Sequence, residues 1–177
     1  MRAKRKTGPS LGSGFYAAYG PGGTTGMFVG AGLLLAVFFI VRFTAGSPYV
    51  VMQRLRLFGL IPPVFLTTLL ITLWYLLIGG AFGLGLFSPC RGREADRYKG
   101  GMLFVLLAVL ELLWYTCFFV RSELFFAVLL ALVTVVLAVG VALCFRRVAR
   151  LSFCLMLAHA AWLCYLLVVC LLALFRM

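Results

Sequence analysis

The chain has 177 residues, of which 65% are hydrophobic and 11% charged, and its mean hydropathy is +1.16. Soluble domains carry roughly 45–50% apolar residues, so this composition excludes a water-soluble globular protein and describes a membrane one. The formal charge of +12 does not indicate a nucleic-acid partner, because the Lys and Arg residues sit at the ends of apolar runs and form no single patch.

Residues 1–26 are basic and then glycine-rich, with no periodic apolar pattern, and read as a disordered cytoplasmic tail. The membrane domain follows over 27–177. A helix needs about 20 mostly apolar residues to cross about 30 Å of hydrocarbon. The charge-free runs then predict five spans, at about 27–43, 60–87, 101–120, 124–145 and 151–175. The opening MRAKRK has the character of a signal-peptide start, but a long Gly-, Pro- and Ser-rich stretch separates it from the first apolar run, so the first span is expected to stay uncleaved.

Between the first two spans, SPYVVMQRLRLF mixes apolar and basic residues as a segment lying at the interface would. Pro62-Pro63 suits a helix start, where the missing amide donors are not needed. The polar stretch SPCRGREADRYKGG joins the second and third spans. Arg121-Ser122-Glu123 leaves so little chain that the third and fourth spans must be antiparallel neighbours. With the N-terminus inside, eleven Lys and Arg residues fall on the cytoplasmic side and five outside, which predicts an N-in, C-out protein of the cell (inner) membrane. The expected fold is an all-α membrane protein, a five-transmembrane-helix bundle. The six cysteines form no CxxC pair, and neither a disulfide framework nor a zinc site is expected.

Polar residues inside the spans carry the functional signal. Glu111 interrupts LAVLELLWYTCFFV, and a carboxylate at a helix centre costs about 2.5–3.5 kcal/mol on insertion scales, so it is expected to face the bundle interior. Trp114, Tyr115 and Phe118 follow at i+3, i+4 and i+7 and share its face. Thr72 and Tyr75 share a face of the second span with Thr68, and His159 and Trp162 share one of the last. At about 1.5 Å per residue, Glu111 lies ~15 Å, His159 ~12 Å and Tyr75 ~18 Å from the cytoplasmic end. Three spans thus bring polar groups to similar depth. Gly79-Gly80, with Ala81, Gly83 and Gly85, permits close helix approach, within the chain or in a homodimer.

These residues suit a cavity in which a flat aromatic ligand stacks on Trp114, Trp162, Phe118 and Tyr75 while Glu111 or His159 meets its polar group. A small proton-coupled transporter using Glu111 is the alternative. The bland alternative is that the inward polar groups only hydrogen-bond one another. No nucleophile–base pair, metal cluster or cofactor fingerprint marks an enzyme.

The order of motifs resembles the TspO/MBR family (tryptophan-rich sensory protein, translocator protein). IPPVFLTTLLITLWYLLIGGAF places Pro62, Pro63, Tyr75, Gly79 and Ala81 on the offsets of the family's second helix. The third span carries Glu111-Leu-Leu-Trp114 and then Phe118-Phe119 where the family reads Asn-x-x-Trp-x-x-x-Phe-Phe. The last span keeps the tryptophan of a Pro-Tyr-x-x-Trp pattern as Trp162, with His159 at the tyrosine position. Phe65 and Ile71 stand where the family has tryptophans. The resemblance implies a cavity for a tetrapyrrole (porphyrin or haem) or a sterol-like ligand. Its expected lining is Phe65, Thr72, Tyr75, Glu111, Trp114, Tyr115, Phe118, His159 and Trp162. It also implies a regulator or carrier in stress or tetrapyrrole metabolism, often dimeric, with no required cofactor and the lipid bilayer as its surroundings. Photochemical porphyrin degradation is described for some members.

Overall fold

The computed structural model describes residues 11–44, 64–89 and 92–175. Side chains of residues 11–18, 41, 42, 44, 64–68 and 70 lie outside that set, as do the expected interfacial segment after the first span and Pro62-Pro63. Among the described residues five helices follow in order: α1 (Leu11–Thr44), α2 (Val64–Phe87), α3 (Glu94–Tyr115), which continues as a π-helical segment (Thr116–Arg121), α4 (Leu124–Arg146) and α5 (Arg150–Phe175). No strand occurs among the described residues. Four helices are long and apolar enough to cross a bilayer, over Tyr19–Ile40, Glu94–Arg121, Leu124–Arg146 and Arg150–Phe175; in α2 the apolar helix counted from its described residues is the shorter Ile71–Phe87. The chain is an all-α membrane bundle.

Of the expected tail over 1–26, residues 1–10 lie outside the described residues, and the remainder is helical. Helix begins at Leu11, breaks at Gly20 (φ 68°, ψ 172°), and resumes with Pro21 at a position where proline's fixed φ and absent N–H cost nothing. The Thr24 hydroxyl donates to the Pro21 carbonyl at 2.9 Å. Gly26, at the end of that stretch, and Gly30 beyond it form a packing face. A Cβ on Gly26 would lie 2.8 Å from the Gly83 carbonyl oxygen, and one on Gly30 would collide with that of Gly79. Helix α1 therefore touches α2 through backbone atoms, the close approach that small residues allow in membranes.

Elsewhere side chains carry the packing. In α4 the buried residues Leu124, Ala127, Ala131, Thr134, Ala138, Val141 and Phe145 alternate in steps of three and four, a heptad seam with mostly small residues that lets α5 pack closely. Helix α5 answers with Ser152, Met156, His159, Leu163, Cys170 and Ala173. Phe145 is fully buried, its ring set against Gly85 of α2 and Gly100 of α3. The Ser152 hydroxyl donates to the Ala81 carbonyl at 2.6 Å and ties α5 to α2. Phe82 and Phe104 stack at 4.2 Å between α2 and α3. Thus α2, α5, α4 and α3 close a ring, while α1 lies mainly along α2.

Helix α3 starts earlier than the expected span, at Glu94, because Glu94 and Asp96 suit the positive end of the helix dipole. Arg147 pairs with Asp96 at 3.6 Å, and the Arg93 guanidinium donates to the Arg147 carbonyl. Where α3 meets α4, Ser122 is left-handed (φ 57°) and the Glu123 amide donates to the Cys117 carbonyl at 2.9 Å, so the two helices reverse within a few residues.

Candidate functional site

Three helices contribute to one buried polar chain. Steps of three and four place His159 on the inner seam of α5, where its side chain is 4% exposed. Glu111 reaches it from α3: His159 Nε2 and Glu111 Oε1 are 2.6 Å apart. From α2, the Trp74 indole donates Nε1–H to His159 Nδ1 at 3.2 Å.

The Trp74 contact settles the proton positions. An indole nitrogen is a donor only, so Nδ1 must offer its lone pair. The imidazole then carries its single proton on Nε2 and donates it to the Glu111 carboxyl. While both bonds stand, His159 is neutral, and the contact is a hydrogen bond that brings no positive charge to the acid. Each buried ring nitrogen has a partner, as burial demands.

Beside this chain lies a cavity of about 30 Å³ between α1, α2 and α3, walled by Leu34 and Val37, Tyr75 and Ile78, and Leu107 and Glu111, with His159 at its α5 side. Tyr75 packs on Phe38 of α1 at 5.1 Å. Of the expected site residues, the structure brings together Tyr75, Glu111 and His159 on this wall. Trp162 stands one turn beyond His159, packed on Trp74 at 5.9 Å and on Tyr165 at 5.4 Å. Thr72 is part-buried on α2 and does not line the cavity. The side chain of Phe65 lies outside the described residues.

Trp114, Tyr115 and Phe118 belong to another layer. Trp114 donates Nε1–H to Cys170 Sγ at 3.4 Å and stacks on Phe118 at 5.6 Å, in a cluster that Leu124, Ala127 and Val169 complete. Tyr115 packs on Phe119 at 4.7 Å. Sharing a helix face with Glu111 did not bring Trp114 or Phe118 to the cavity, because that face runs on past the cavity into the α3–α4–α5 seam. Trp74 is the residue sequence reasoning missed. Its signal was a mid-span indole, whose N–H needs an acceptor when buried. Among the described residues, no three His, Cys, Asp or Glu side chains gather as a metal site requires.

The TspO/MBR family model matches residues 28–175, from within α1 to the end of α5. The chain belongs to the TspO/MBR family. No match is found among curated proteins or solved structures. In this TspO/MBR chain the residue at the family's asparagine position is Glu111, and its hydrogen-bond partner is His159, at the family's tyrosine position. Both departures from the pattern fall in one contact.

Proposed function

We propose that the protein binds a flat, hydrophobic ligand of the tetrapyrrole (porphyrin or haem) or sterol-like class within the membrane, as a regulator or carrier, with its N-terminus cytoplasmic. The observation that carries this reading is the buried Trp74–His159–Glu111 chain at the wall of a mid-bundle cavity. Buried polar groups inside a membrane bundle are costly and characteristically face cavities, and family membership supports the ligand class.

The cavity's 30 Å³ suits about one or two waters, whereas small-molecule sites measure about 300–1,000 Å³. A ligand therefore enters by parting helices. The seam between α1 and α3 is the place, since α1 leans mainly on α2 and has little contact with α3. Titration of the purified chain with porphyrins, haem and sterols, read by tryptophan quenching, tests the reading. Ala108 lines the cavity beside Leu107 and Glu111; Ala108→Phe, which fills the cavity from α3, abolishes saturable binding if the site is this one, and unchanged binding sinks it.

The water-sized volume beside a hydrogen-bonded carboxyl favours one second reading, proton-coupled transport through Glu111. Proton flux in proteoliposomes that survives Glu111→Gln rules it out.

A further inference from the structure

The hydrogen bonds around Glu111 also bear on what the cavity selects. One carboxyl oxygen, Oε1, takes the His159 proton; no hydrogen bond among the described residues reaches Oε2, and the Glu111 side chain is 14% exposed. Trp74 keeps the imidazole neutral, so the acid gains a hydrogen bond but no counter-charge. Among the described residues no Lys or Arg lines the cavity, and the polar lining is Tyr75, Glu111 and His159. Both nitrogens of His159 are engaged. What remains is the Oε2 end of a carboxyl that lines the cavity, with no cation of the described residues beside it, in mainly apolar surroundings where an unmatched polar group is most costly.

We propose that the cavity recognises a ligand by a hydrogen-bond donor, an N–H or an ammonium, presented to Glu111 Oε2, and that it rejects ligands whose inward group is a carboxylate. This rests on the ligand-binding reading above and narrows it. An amine and the Glu111 carboxyl together form a neutral ammonium–carboxylate pair, whereas a carboxylate ligand leaves one unpaired negative charge in the site whichever of the two acids holds a proton. The donor has two chemical sources, the ammonium of an amphiphilic amine or the pyrrole N–H of an uncharged tetrapyrrole core.

The test uses the full chain in nanodiscs of neutral lipid and three flat fluorescent probes that differ only in one group: 1-pyrenemethylamine, 1-methylpyrene and 1-pyreneacetic acid. Energy transfer from tryptophan to pyrene reads binding. The amine is expected to bind about tenfold or more tighter than the acid, because an unpaired charge in a buried site is heavily penalised. In Glu111→Gln, which keeps an acceptor for His159 and loses the charge, the gap closes to about threefold or less. Displacement of the bound amine by protoporphyrin IX dimethyl ester assigns the pyrrole source; failure of that ester to displace it assigns the amine source.

Equal binding of amine and acid overturns the proposal, as does a preference that persists in Glu111→Gln. Binding of all three probes with equal affinity leaves the ligand-binding reading standing and removes only the selectivity. Binding of none removes both. If Glu111→Gln does not fold, the same comparison in Glu111→Asn and the amine-to-acid ratio of the unaltered chain decide the matter.

Discussion

The indole N–H of Trp74 ends on Nδ1 of His159 at 3.2 Å, and this contact determines which ring nitrogen of the histidine holds the proton. Removing it should change the histidine's chemistry without touching either partner of the Glu111 bond. In Trp74→Phe, Nδ1 is free to take a proton and His159 can become a cation beside Glu111. Nitrogen NMR of the imidazole is expected to show a fixed Nε2–H tautomer in the unaltered chain and a doubly protonated ring in the variant. A fixed tautomer in both would mean that Trp74 does not set the proton position.

Deleting the central member exposes the cost of the two it serves. His159→Leu leaves the Glu111 carboxyl and the Trp74 N–H without their partner in an apolar interior, a loss of about 1–3 kcal/mol for an orphaned group. The double variant His159→Leu with Glu111→Leu should recover part of that stability, because both members of the polar contact are then gone together. Thermal unfolding in one detergent, across the two variants, reads the difference; a double variant less stable than the single one contradicts this account.

Glycines in α1 and α2 should respond to alanine according to position. Gly83→Ala puts a methyl group into the Gly26 carbonyl, and Gly30→Ala does the same to that of Gly79, so both are expected to lower the melting temperature by several degrees. Gly32 has nothing within 4 Å of a built Cβ, and Gly32→Ala should be neutral or stabilising, since alanine is preferred to glycine in a helix by about 1 kcal/mol. A uniform response of the three would show that contact with α2 is not the reason.

Trp114 and the cavity are separable. Trp114→Ala removes a stacked ring from the α3–α4–α5 cluster and should cost about 3–5 kcal/mol, while probe binding at the cavity keeps its affinity in the folded fraction. Loss of affinity without loss of stability would place Trp114 in the site.

Orientation is testable from the chain ends. The end of the bundle that holds the start of α3, the end of α4 and the start of α5 carries Arg93, Arg97, Lys99, Arg146, Arg147 and Arg150. Positive residues stay on the cytoplasmic side. A reporter fused after Met177 should therefore read as external, and a cytoplasmic signal would reverse the assignment.

Much of this molecule is legible in its sequence, and the exceptions have physical reasons. Charge spacing gives the spans because hydrocarbon tolerates few charges, and the short Arg121–Glu123 connection gives the α3–α4 hairpin. Depth counting put Glu111 and His159 at one level, and they meet. Depth does not give azimuth: helices apolar on every side have no polar face from which rotation can be read, so the sequence does not show that Trp74 meets His159 or that Trp114 meets Cys170. Residues 11–26 look unstructured by composition, since glycine is a poor helix former. Only a glycine partner on another helix, Gly83 for Gly26, turns that liability into a contact.

The same backbone contact has a mechanical side. Two helices joined through side chains can slide, because rotamers rearrange; two joined at the peptide level have no such give, and a shift of either brings carbonyl into carbonyl. Helices α1 and α2 should thus travel as a single rigid lever. The Phe38–Tyr75 stack near the cavity would ride with it, and any swelling of the interior would be a tilt of that lever away from α3 and not the bending of one helix.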